Sequence, residues 1–208
     1  MVLTKLLLWT MLLALSASDA WAQEVSGCGS LANAYGPYDY TNPTDVSERL
    51  PIVENAHFTP EVEALIGGNT GSLWGDLDYT LRAFPNHHRA LYAAARYALR
   101  PDSPKDTGFY PAECYFRRAV AFNPSDGIAH MIYGIFLHKQ DKLSEALAEY
   151  KLAVQLVPNS AETHYNLGLL YAEMRDYKNA KRHAQQAYAL GYPLSGLKDK
   201  LQQAGEFE

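Results

Sequence analysis

The stretch AETHYNLGLLYAEMRDYKNAKRHAQQAYALGYP, residues 161–193, decides the fold. Small residues recur in it at fixed offsets: Gly168 after Leu167, then Ala180, Ala184 and Ala187, with Tyr171 between. The segment that starts at Gly127 fills the same slots at the same offsets, with Tyr133-Gly134, Leu137, Ala146, Tyr150 and Ala153. Pro158 follows, where a helix must end because proline lacks an N–H and clashes with the preceding turn. Self-similarity at a fixed period is the mark of a repeat architecture. Ser125-Asp126 and Asn159-Ser160 offer N-caps for the helices that follow.

An earlier unit is longer. Pro85 and Pro124 stand farther apart than Pro124 and Pro158, and the turn-rich stretch from Pro101 to Gly108 accommodates the excess. That unit starts at His88, with Asn86 as the expected N-cap. Ala95 and Ala98 serve its first helix, and Ala112, Phe116 and Ala119 its second.

These units resemble the tetratricopeptide repeat (TPR) family, in which a unit of about 34 residues forms an antiparallel pair of helices, A and B. The resemblance covers residues 73–205 and implies an all-α fold, a short right-handed α-solenoid of TPR helix pairs. The expected organisation is a half-unit at 73–87, full units at 88–126, 127–160 and 161–192, and a capping helix and tail at 193–208. Leu77 and Leu81 would be the core of the half-unit, whose helix A partner is absent or degenerate, Pro60 to Ile66 being a poor substitute. Leu197 and Leu201 would face the array from the cap.

Residues 23–72 do not repeat. Gly, Pro, Asn and Tyr crowd this irregular arm, with three tyrosines in Tyr35-Gly-Pro-Tyr-Asp-Tyr40. Aromatic rings become ordered by burying area, so the arm is expected to lie extended on the solenoid. Two cysteines, Cys28 and Cys114, form the only pair available. In an oxidising compartment they read as one disulfide, tying the arm to helix B of the first full unit.

The N-terminus indicates such a compartment. Lys5, the apolar run Leu6 to Leu15 and Ala20-Trp21-Ala22 form a signal-peptide pattern over residues 1–22. The run is shorter than the roughly 20 residues that span a bilayer. The expected location is periplasmic or secreted. Val25-Ser26-Gly27-Cys28 offers an alternative, a lipid anchor through Cys28. The net charge of −5 argues against a nucleic-acid binder.

The resemblance also implies a binding surface, the concave groove lined by helix A. Carried over position by position, it comprises Arg89, Tyr92, Arg96, Leu99 and Arg100, then Ile128, Met131, Ile135, His138 and Lys139, then Glu162, Tyr165, Leu169, Ala172 and Glu173. Clustered arginines at one end suit carboxylates, and the apolar middle suits an anchoring side chain. The Lys/Asn set with which some TPR proteins clamp a terminal carboxylate is matched only at Asn166. The N-terminal arm is a competing occupant of the groove.

The histidines lack metal-ligand spacing. His130 and His164 share the fourth position of their units, a packing position, and His57, His138 and His183 lie on three different elements. The sequence holds no GxSxG, P-loop or CxxCH motif. The carboxylates Glu61 and Glu63, or Asp76 and Asp78, are two apart and do not share a helix face. The leading reading is therefore a non-enzymatic adaptor, with neither metal nor cofactor, that binds a protein or peptide of the cell envelope. The alternative is a small-ligand or metal-binding protein whose pocket is lined by Tyr35, Tyr38, Tyr40, His57, His87 and His88.

Overall fold

The computed structural model describes residues 24–103 and 108–206. The expected signal peptide, residues 1–22, lies outside the described residues. Every regular element among the described residues is a helix. Three short helices lie in the arm: α1 (Pro43–Glu48), α2 (Leu50–His57) and α3 (Pro60–Glu63). Then come α4 (Leu73–Ala83), α5 (His88–Ala98), α6 (Ala112–Phe122), α7 (Gly127–His138), α8 (Leu143–Leu156), α9 (Ala161–Glu173), α10 (Tyr177–Ala189) and α11 (Gly196–Gln203).

The packing is that of a TPR-type α-solenoid. Helices pair as α5 with α6, α7 with α8 and α9 with α10, while α5, α7 and α9 stand side by side. A Cβ on Gly134 would come within 2.7 Å of the Tyr150 ring, so glycine is what lets α7 lie against α8. Gly168 does the same service for a different neighbour, since its Cβ would meet Leu197 of α11 at 2.5 Å. Phe116 of α6 is fully buried between pairs and stacks on Phe136 of α7 with ring centroids 4.3 Å apart. Asp126 and Ser160 cap α7 and α9 through their side-chain oxygens.

The arm is only partly irregular. α2 packs against α4, the place where a helix A partner was expected to be missing. Pro51 hides this helix in the sequence, but it falls in the first turn, where the absent N–H costs nothing. Leu50 and Val53 are buried with Ala83 and Phe84 of the array, and Tyr35, Tyr38 and Tyr40 pack around them. The chain at Gly36 passes so close to α4 that a Cβ there would lie 2.5 Å from the Ala83 carbonyl oxygen. Tyr38 N–H donates to that same oxygen at 2.8 Å.

Asn86 is not the cap of α5. His87 takes that role, its Nδ1 accepting from Ala90 N–H at 3.1 Å. Asn86 is fully buried and joins three parts of the chain instead. Its Oδ1 accepts from Tyr40 N–H at 2.9 Å, and its Nδ2 donates to Asp39 at 2.8 Å and Asp126 at 2.9 Å. Asp126 also accepts from His88 Nε2 at 2.8 Å. Replacing Asn86 with Leu preserves shape and removes all three bonds, leaving the Tyr40 N–H without its partner while Asp39 and Asp126 keep their bonds to Thr41 and His88. Thermal or urea unfolding should show a loss of about 3 kcal/mol.

The arm is tied down again at its start. Residues 24–31 form a tight loop closed by a Glu24–Ser30 bridge. Cys28 is bonded to Cys114 of α6. Beside the disulfide, the buried Arg118 guanidinium donates to the carbonyls of Cys28 (3.1 Å) and Ser30 (2.6 Å) and lies over the Tyr110 ring.

Candidate functional site

The groove face of α5, α7 and α9 divides into a closed part and an open part. Arg89 belongs to the closed part. Its guanidinium forks onto Glu63 of α3 through Nε at 2.8 Å and through Nη2, and Nη1 reaches Glu54 of α2 at 3.1 Å. The hydrogen bonds from Arg89 hold the Glu63 carboxyl below its ordinary range, against its partial desolvation. Glu54 also accepts from His87 Nε2 at 3.0 Å, and this bond is the main reason its carboxyl is lowered. His87 is buried and its ring is held neutral by that burial. Its Nε2 therefore carries the proton while Nδ1 caps the helix. Arg100 donates to the Leu65 carbonyl at 3.3 Å. The arm thus occupies both ends of α5's groove face.

Tyr92 closes the groove further in. Its hydroxyl donates to Glu162 of α9 at 2.6 Å, bridging the first and third pairs. Burial, then the Glu162 carboxylate, push the Tyr92 phenol far up. Met131 and Tyr165 are corrected by the structure. They are 1 % and 7 % exposed, so they belong to the core and not to the groove surface. The reason is the close approach of the next A helix for Met131 and of the α10–α11 connection for Tyr165. The Met131 sulfur accepts from Thr163 Oγ1 of α9 at 3.1 Å, and Tyr165 is covered by Tyr192 at 4.2 Å between centroids.

Of the other residues expected in the groove, Arg96 and Lys139 are exposed, and Ile135, His138 and Leu169 are half-buried; together they are termed the open part. Arg96 is exposed and makes no hydrogen bond to any described residue, so its donors face solvent. Ile135 and Leu169 are half-buried and pack on the core. His138 Nε2 lies 3.1 Å from Glu173 of α9, linking the second and third pairs. A cleft of about 270 Å³ lies here, lined by His138, Lys139, Asp141, Leu169, Glu173 and Lys200. Lys200 comes from α11, a helix that position counting does not connect to the groove. Its outward lysines read as a solvated face, and only the docking of Leu197 and Leu201 brings α11 alongside α9.

The arm residues named as candidate pocket liners are engaged with one another or with the array. Tyr40 stacks on His87 at 4.4 Å and meets His88 edge-on at 4.9 Å. His57 stacks on Tyr79 at 3.8 Å and its Nδ1 lies 2.9 Å from the Asp76 carboxylate. Asp76 further accepts from the backbone of Asn69 and Thr70. Among the described residues no three of His, Cys, Asp or Glu converge as metal ligands. No described helix is long and apolar enough to cross a membrane.

Comparison with known proteins agrees with this geometry. The family model described as TPR repeat matches residues 134–174, which run from α7 through α8 to the end of α9. A curated relative, the Hsp70-Hsp90 organising protein of Plasmodium falciparum (isolate 3D7), is 41% identical over 54 residues, 26% of this chain. That match spans only 10% of the relative's length. With matching repeat spacing, paired helices and a glycine where α7 and α9 each lie close against a neighbour, the fold is that of a TPR-type α-solenoid, and residues 134–174 are similar to the TPR repeat.

Proposed function

We propose that the chain is an exported, periplasmic adaptor that holds a protein of the cell envelope in the open part of its groove. What carries the reading is the contrast between two arginines on one helix face. Arg89 is fully engaged by the arm, whereas Arg96, two turns on, is exposed and makes no hydrogen bond to any described residue, and Ile135 and Leu169 hold its equivalent position on α7 and α9. An exposed guanidinium on the same helix-A face as two partly exposed aliphatic side chains suits a peptide with a carboxylate near an aliphatic or aromatic anchor. The relative is, by its name, a protein that organises two others, in keeping with a scaffolding role here. The Cys28–Cys114 bond supports an oxidising compartment. It also engages the sulfur that a lipid anchor would need, which favours the unlipidated form.

Capture of partners from envelope extract tests the reading. Arg96→Glu and Ile135→Glu should each reduce capture of the same partner at least tenfold while leaving the melting temperature close to that of the parent. Capture that survives both substitutions would place binding elsewhere. Arg89→Ala should leave capture intact, because that arginine is already occupied by the arm.

A further inference from the structure

Two repeat-equivalent histidines sit in opposite electrostatic settings. His130 of α7 and His164 of α9 hold the same position in successive units, and so do the groups they face on the paired helices, Glu149 of α8 and His183 of α10. In both units the Nε2 of the first histidine lies against the carbonyl of the proline six residues before it. The distances are 3.1 Å to Pro124 and 3.0 Å to Pro158. A carbonyl only accepts, so Nε2 carries a proton in each.

The other ring nitrogen decides the charge. His130 Nδ1 lies 2.6 Å from the Glu149 carboxylate, another acceptor, so this ring donates from both nitrogens and is a cation. Burial opposes that charge, but the bond and charge of Glu149 raise the pKa above the ordinary histidine value. His164 Nδ1 instead lies 2.9 Å from His183 Nδ1. With its proton on Nε2, a neutral His164 accepts here and His183 Nδ1 donates. The remaining His183 Nε2 is then a lone pair, and Arg182 Nη2 approaches it at 3.3 Å as a donor. Both tautomers are fixed, and both rings are neutral. Tyr171 stacks on His183 at 5.6 Å and adds no charge.

An added proton has one nitrogen open to it, His183 Nε2. There it displaces the exposed Arg182 donor and sets a second cation beside that guanidinium, on a ring buried between α9 and α10. Burial first, then His164 and Arg182, hold the His183 pKa down to about 4. The carboxylates of the surrounding elements are committed elsewhere. Glu149 of α8 holds His130, Glu162 holds Tyr92 and Glu173 meets His138. Asp176 accepts from Asn179, and Asp199 of α11 accepts from Ser195. Lys178 and Lys181 of α10 and Lys198 and Lys200 of α11 are cations that offer no compensation.

We propose that the His164–His183 contact is an acid-sensitive latch: it closes α10 on α9 at neutral pH, and protonation opens that pair together with α11 while the preceding pair, α7 with α8, stays closed. The sign follows from linkage. The folded pair binds its proton more weakly than a free histidine, whose pKa is about 6.5. Its stabilisation is complete above that value, declines as the pH falls, and has been lost by the time the pH passes below about 4. Within that window the closing equilibrium weakens by at most about tenfold per pH unit. His130 has the opposite sign, since its raised pKa makes its contribution complete on the acid side and lost as the pH rises through the folded value. Because α9 carries Leu169 and α11 carries Lys200, acid would dismantle the C-terminal end of the open groove. That consequence rests on the proposed groove, whereas the latch does not.

Hydrogen exchange of the intact chain at pH 7 and pH 5, corrected for intrinsic rates, tests the latch without any partner. Protection of peptides from α9, α10 and α11 should fall about tenfold at pH 5, while α7 and α8 keep theirs. His183→Asn retains a donor toward His164 and cannot titrate, so its α9 and α10 protection should be the same at both pH values. His183→Glu copies the pair of the preceding unit and should reverse the dependence, with greater protection at pH 5. Wild-type protection that does not fall, or an equal fall in the Asn variant, would overturn the latch. Should the Glu variant fail to fold, the Asn variant decides alone.

Discussion

Removing the Cys28–Cys114 bond by a double Cys→Ser replacement is expected to cost up to about 4 kcal/mol on the chain-entropy account, given the 86-residue separation. The effect should have a place as well as a size. Val25, Cys28, Leu31 and Cys114 form a small apolar cluster of their own, apart from the main core. The loop at 24–31 is held there by the disulfide and by Arg118, Arg117 donating to Ser26 as well. Without the bond, this loop should lose exchange protection first and expose Arg118, a cation otherwise buried. Urea unfolding of oxidised and reduced protein, read beside exchange at residues 24–34, checks both parts. Identical midpoints for the two forms would contradict a native crosslink.

Phe116→Ala is expected to cost about 3–5 kcal/mol, the range for a buried aromatic that leaves a cavity. Phe116 is fully buried and touches the second pair through Phe136 and Tyr133, with ring centroids at 4.3 and 5.8 Å. It therefore joins α6 to α7, one of the contacts by which one repeat binds the next. In a linear array such an interface is shared by nearest neighbours only. The substitution should uncouple α4–α6 from α7–α11 and broaden the unfolding transition. A sharp single transition at the parent midpoint would show that the rings contribute little to the coupling.

The repeat was legible because its signal is local and periodic. Gly134 and Gly168, Ala146 and Ala180, and Pro124 and Pro158 recur at one spacing, and each answers a steric demand that few residue types meet. The arm was much less legible. α2 is short and carries Pro51, so its helical character shows only when Leu50 and Val53 find the Ala83–Phe84 surface. Asn86 has the side chain preferred at an N-cap, yet a tertiary demand from Tyr40, Asp39 and Asp126 took it, and His87 filled the vacancy.

The candidate site was legible as a face and not as an exposed surface. Position counting puts Met131, Ile135 and Arg96 on the groove side of helix A. It does not say how closely successive A helices approach, and that approach buries Met131 while leaving Ile135 half covered. The contacts that close the groove join residues distant in sequence, Arg89 with Glu63 and Tyr92 with Glu162. No local pattern reports such pairs. The histidines show the same limit. Their shared fourth position was visible, but the sign of their charge depends on Glu149 in one unit and His183 in the next.

The proposed adaptor role makes one position decisive. A photo-crosslinking amino acid at Ile135, in the open groove, should trap the envelope partner that the parent protein captures. The same probe at Lys151, exposed on the opposite helix α8, should trap none of it. Adducts of that partner at 151 and none at 135 would contradict binding in the groove.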